Sequence, residues 1–158
     1  MKKKLIEAIL LQLRGELETI SRAARVAHQE ATHEENKAED QYDTRGLEAS
    51  YLAAAQGKRA AELERLIALY QASLGLDLPV PRDADVGALI EVECRGKRSF
   101  FFLVGEGGGL QVSVEGKSIH VITPNAPLGE ALTGKRPGDS FEVEINKQER
   151  EYRVISIS

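Results

Sequence analysis

Six carboxylates crowd one short stretch of this chain: Glu30, Glu34, Glu35, Glu39, Asp40 and Asp43, with Lys37 as the only cation among them. The local net charge of −5 exceeds the −4 carried by all 158 residues. Carboxylates this close repel one another and gain from a cation or a basic surface that receives them. Oxygen ligands of this kind suit Mg²⁺, a hard cation. A solvated helix end is the plain alternative. Neither outcome makes the isolated chain an enzyme. His28 and His33 do not share a helix face, and His33-Glu34-Glu35-Asn36-Lys37 lacks the second histidine of a zinc-protease helix, so both read as surface residues. Gly105-Glu106-Gly107-Gly108-Gly109 lacks the spacing of a dinucleotide loop and reads as a mobile surface loop. The single cysteine, Cys94, excludes a disulfide framework and reads as a buried strand residue.

The acids need a support, and the sequence supplies one. Apolar or small residues recur at Ile6, Leu10, Leu13, Leu17, Ile20, Ala24, Ala27 and Ala31, with spacings that alternate four and three. That is the seam of a coiled coil. A second seam runs through Ala49, Ala53, Gln56, Ala60, Leu63, Ile67, Tyr70 and Leu74. Two seams with a polar gap between them predict an antiparallel helical hairpin, although a dimerisation coiled coil has the same pattern. Facing Leu10 with Leu74, Leu17 with Ile67, Ala24 with Ala60 and Ala31 with Ala53 keeps the sum of residue numbers constant. It places the midpoint at Tyr42 and the turn within Ala38 to Gly46, with Asp43 or Thr44 capping the second helix. Leu and Ile fill the base of the seam and Ala fills the distal half, which predicts a slender projection about 50 Å long at about 1.5 Å per residue. The acids then sit at its tip.

Lys2-Lys3-Lys4 before an apolar run superficially resembles a signal peptide, but Glu7 interrupts the run and Gln12 and Arg14 end it, so an amphipathic helix is expected. No apolar stretch is long enough to span a membrane. A net charge of −4 disfavours a direct grip on DNA. Composition changes at Leu74-Gly75-Leu76-Asp77-Leu78-Pro79-Val80-Pro81, so the expected division is a hairpin over 1–75, a linker over 76–82 and a second domain over 83–158. Strands are predicted at Leu89 to Cys94, Ser99 to Val104, Ile119 to Ile122, Ser140 to Ile145 and Glu151 to Ile157, with a hairpin turn at Arg95-Gly96-Lys97-Arg98. Pro127 to Thr133 predicts a short helix ending at Gly134. The fold class is α+β: a helical hairpin followed by a helix on a twisted, mostly antiparallel sheet.

Val121 to Asp139 reads Val-Ile-Thr-Pro-Asn-Ala-Pro-Leu-Gly-Glu-Ala-Leu-Thr-Gly-Lys-Arg-Pro-Gly-Asp. It closely resembles the C-terminal signature of the GreA/GreB transcript-cleavage factors. Ala126 replaces a serine common in that family, which removes a capping hydroxyl. With the hairpin and its acidic tip, the resemblance spans nearly the whole chain. It implies a C-terminal domain similar to FK506-binding proteins, docking on bacterial RNA polymerase through Pro124, Pro127, Leu128, Gly129, Gly134, Gly138 and Asp139. It implies a hairpin that enters the polymerase's secondary channel, near the 3′ end of the nascent RNA, in the cytoplasm. It also implies tip acids that help hold a Mg²⁺ shared with the polymerase, here Asp43, Asp40 and Glu39, with no cofactor in the free protein. The chain would be an accessory factor to the polymerase's own RNA hydrolysis. The tip departs from the family, whose two key acids fall on Thr44 and Leu47, with Asp43 and Glu48 each displaced by one. Channel occupation or inhibition without cleavage is the alternative. A prolyl isomerase and a coiled-coil interaction protein are readings from other classes. The first would need an aromatic-lined pocket, and Phe100, Phe101, Phe102, Phe141 and Tyr152 are few for one.

Overall fold

The computed structural model describes residues 1–32, 45–74, 76 and 80–158. The chain forms two compact units, Leu10–Ala72 and a second that joins Met1–Ile9 to Ser73–Ser158. Two long helices dominate the first: α1 (Lys2–Thr32) and α2 (Arg45–Leu74). The segment expected to hold the turn, including Tyr42, lies outside the described residues apart from Arg45 and Gly46, which open α2.

Where their residues are described, both predicted seams are the shielded faces of their helices. Within this unit Leu10, Leu13 and Ala27 of α1 and Leu63, Ile67 and Tyr70 of α2 are buried. Leu17, Ile20 and Ala24, and Ala53, Gln56 and Ala60, are half-buried. Desolvation pushes the Tyr70 phenol up to about 12, so it stays neutral at physiological pH.

The register differs from the one the seams predict. Arg59 of α2 donates to Glu16 Oε1 of α1 through Nη2 at 2.8 Å and through Nε at 3.3 Å. In the predicted register Arg59 would face Arg25, about 14 Å along the axis from Glu16 and beyond reach of that ion pair. A slip of one heptad leaves both apolar seams facing each other, because the seam repeats every seven residues. Such a slip would set Leu17 against Ala60 rather than Ile67, and Ala24 against Ala53 rather than Ala60. Charges beside the seam, not the seam itself, discriminate between the two registers.

Gly15 and Gly57 sit inside these helices, exposed, with open space where a Cβ would stand. Each loses helix stability relative to alanine without a packing reason. Gly15→Ala and Gly57→Ala should each stabilise the hairpin by about 0.5–1 kcal/mol. Thermal unfolding followed by helical circular dichroism checks this, and a fall in midpoint would refute it.

The second unit carries β1 (Leu89–Cys94), β2 (Lys97–Leu103), β3 (Gln111–Val114), β4 (Lys117–Ile122), α3 (Pro127–Leu132), β5 (Ser140–Ile145) and β6 (Gln148–Ile157). The strands form one sheet in the order β3-β4-β2-β1-β6-β5. All neighbours are antiparallel except β2 and β4, which pair in parallel from Phe100–Ile119 to Leu103–Ile122. The glycine-rich loop read as mobile is tied down at its end, where Gly109 N–H donates to Val121 O and Val121 N–H to Leu110 O, both at 2.8 Å. Three two-residue turns close the antiparallel hairpins: Arg95-Gly96, Glu115-Gly116 and Asn146-Lys147. Both residues of each have positive φ, the type I′ geometry whose twist matches paired strands.

Strand alternation divides the side chains between two faces. On one face Ile90, Val92, Phe101, Leu103, Phe141, Val143, Tyr152 and Val154 form a buried cluster with Leu132 of α3. Phe102, Val112, Ile119 and Val121 are buried on the other. The first turns of α1 belong to this unit, with Leu5, Ile6 and Ile9 buried and Lys4 Nζ donating to Glu115 Oε1 at 2.7 Å.

Candidate functional site

The segment from Thr123 to Asp139 wraps one end of the sheet unit. Thr123 O accepts from Ala126 N–H at 3.0 Å and closes a turn. Pro127 then opens α3, where its missing N–H costs no hydrogen bond. Ala126, the N-cap residue, is extended and offers no side-chain cap, as its methyl group requires. Ala126→Ser should supply the missing acceptor and raise stability by about 1 kcal/mol. A denaturant midpoint equal to or below that of the parent protein would refute this.

α3 lays Leu132 fully into the core and Leu128 partly onto it. Between them Gly129 is buried against the preceding turn: a Cβ there would lie 1.9 Å from Thr123 O and 2.8 Å from Thr123 C. The glycine therefore permits backbone-to-backbone contact that no other residue allows. Gly129 O accepts from Thr133 N–H at 2.9 Å and from Thr133 Oγ1 at 2.8 Å, which ends the helix. Gly134 follows with φ of 78°, and its N–H donates to Ala84 O at 2.8 Å.

Arg136-Pro137-Gly138-Asp139 is a tight turn leading into β5. Asp139 N–H donates to Arg136 O at 3.0 Å, and Asp139 Oδ2 accepts from Arg136 N–H at 2.8 Å. Gly138 has φ of 98°, as a type II turn requires after proline. Gly138 N–H donates to Val154 O, and Val154 N–H donates to Asp139 O, so the turn is fixed to β6. Arg136 Nε donates to Asp83 Oδ1 at 2.7 Å. This hydrogen bond holds the Asp83 carboxyl below, and the Arg136 guanidinium above, its ordinary value. Asp83 is remote in sequence and carries no motif, so only the fold could assign it this partner.

The seven residues singled out from the sequence thus lie in one continuous segment. Gly129, Gly134, Gly138 and Asp139 shape its backbone, and Leu128 anchors it. Pro127, Gly134, Gly138 and Asp139 are exposed along it, and Pro124 is half-buried. The tip acids Glu39, Asp40 and Asp43 lie outside the described residues. Leu47, one of the two positions where the resembling family carries a tip acid, lies in the first turn of α2 with 54% of its surface exposed. Tyr51, one turn on, is 67% exposed. Among the described residues no group of three side chains is arranged to hold a metal ion.

Residues 83–158 match the family model described as transcription elongation factor GreA/GreB, C-terminal. Those residues form a GreA/GreB C-terminal domain. Among curated proteins, the chain is 27% identical over 156 residues to the transcription inhibitor protein Gfh1 of Thermus thermophilus, covering 96% of this chain and 91% of that one. Among solved structures, the GreA factor homolog Gfh1 of Thermus thermophilus aligns at 24% identity with a TM-score of 0.39, over 99% of this chain and 94% of that one. Another Gfh1 structure aligns at 26% identity with a TM-score of 0.40, over 95% and 93%.

Proposed function

We propose that this protein binds bacterial RNA polymerase in the cytoplasm, seats its helical hairpin in the secondary channel near the RNA 3′ end, and restrains transcription without stimulating RNA cleavage. The observation that carries this reading is the exposed Leu47, at a position where the family's cleavage factors present a carboxylate. An alkyl side chain cannot hold a hard cation. The relative identical at 27% over nearly the whole chain is a transcription inhibitor, which supports the same reading. The helix α3 and the Arg136–Asp139 turn are the proposed docking segment, since the sequence signature maps onto them. Asp43, Asp40 and Glu39 would be the residues to contribute oxygen to a polymerase-held Mg²⁺ if cleavage took place.

A stalled, backtracked bacterial elongation complex tests the reading. With the protein added, elongation should slow and the RNA should keep its length at every Mg²⁺ concentration. RNA shortening that Asp43→Asn abolishes, with binding retained, would replace inhibition by cleavage stimulation. Failure to bind polymerase at all would overturn the proposal.

A further inference from the structure

We propose that the open end of the α3-covered sheet face is a receptor cleft for a carboxylate-bearing segment of a protein partner. α3 covers only part of that face. Beyond it lies a cleft of about 330 Å³ lined by Cys94, Arg95, Lys97, Ser99, Arg150 and Tyr152. Strand pairing explains the composition. Cys94 stands opposite Lys97, Val92 opposite Ser99, Phe141 opposite Tyr152 and Val143 opposite Arg150, so these side chains share the face of the buried cluster. Tyr152 is buried as the floor, Cys94, Ser99 and Arg150 are half-buried, and Arg95 and Lys97 are exposed on the rim.

The same alternation sorts charge. Glu91, Glu93, Glu142, Glu144, Glu149 and Glu151 all fall on the opposite face of β1, β5 and β6. There Glu91 already has Arg98 and Ser156 as partners. No strand carboxylate therefore shares the cleft, and among the described residues Arg95, Lys97 and Arg150 have no acidic partner. Three unneutralised cations around an apolar floor match a ligand that combines carboxylates with an apolar side chain. Nucleic acid fits less well: it needs an extended run of cations, and here the cations are confined to one cleft on a chain of net charge −4. The cleft is lined by no residue of the α3–Asp139 segment, although Arg95 and Tyr152 also border a neighbouring depression that Gly138, Glu93 and Glu151 line, and it does not depend on the function proposed above.

A fluorescein-labelled Glu-Glu-Leu-Glu-Glu peptide added to the full-length protein is the probe. In an extended peptide the outer glutamates share the leucine's side, so leucine can meet the floor while carboxylates meet the rim. Saturable anisotropy is expected, weakening as salt is raised. Lys97→Gln with Arg150→Gln should weaken it about tenfold with an unchanged thermal midpoint, since each of these solvent-reached charges contributes a few-fold. The peptide should also slow alkylation of Cys94, the only thiol. Absence of binding, equal binding by the double variant, equal binding of the Gln-Gln-Leu-Gln-Gln peptide, or unaltered Cys94 alkylation would each overturn the proposal. Tighter binding of a single-stranded oligonucleotide or inorganic phosphate to the same cleft would overturn it in favour of a phosphate ligand.

Discussion

Gly129→Ala is expected to cost the sheet unit more stability than any other single methyl group added to it. The new Cβ would stand 1.9 Å from Thr123 O, 2.8 Å from Thr123 C and 3.3 Å from Pro124 Cα. All three are backbone atoms, so no rotamer change relieves the clash. Moving α3 away would lift Leu132 from the core, and moving the turn would disturb the Ala126–Thr123 hydrogen bond. Overpacking where side chains can yield costs about 1–3 kcal/mol, and here nothing yields, so about 3 kcal/mol or more is expected. For a unit of this size that corresponds to a fall on the order of 15 °C in unfolding midpoint. Gly134→Ala is the control. Its φ of 78° strains alanine, but its Cβ would meet open space, so about 1 kcal/mol is expected. Equal losses from the two variants would show that the close approach at Gly129 has no special weight.

A second large effect is expected at the tip. Thr44→Asp combined with Leu47→Glu places carboxylates at both positions where the family's cleavage factors carry them. If the chain occupies the channel, the double variant should raise cleavage of backtracked RNA at least about tenfold over the parent protein, while the parent stays near the unassisted rate. Leu47 is 54% exposed, so replacing it should leave the fold intact. Cleavage unchanged by the double variant, with polymerase binding retained, would show that spacing at these positions is not what separates this chain from the cleavage factors.

Much of the fold can be read from the chain because it follows from local periodicity. The strands Leu89–Cys94 and Ser140–Ile145 begin and end where alternation predicts. β3 escapes because Gln111–Val114 offers only two apolar residues, too few to mark a period. The parallel pairing of β2 with β4 is set by the sheet's order rather than by either strand, so neither sequence announces it. In the candidate docking segment, Pro127, Leu128 and Gly134 state their roles in sequence. The Gly129–Thr123 approach and the Arg136–Asp83 pair exist only once the chain is folded. The hairpin's faces were legible and its register was not, because a seam that repeats every heptad matches itself after a heptad's slip.

That ambiguity gives the hairpin an adjustable gauge. Sliding one helix past the other by a heptad shifts the midpoint of the pair by about half a heptad, roughly one helical turn, while every apolar contact finds an equivalent. The Glu16–Arg59 ion pair marks one setting of that gauge. Exchanging charges at such flanking positions would present a different set of side chains at the far end with the apolar seam untouched. Such swaps would reset the hairpin's reach from its surface, one salt bridge at a time.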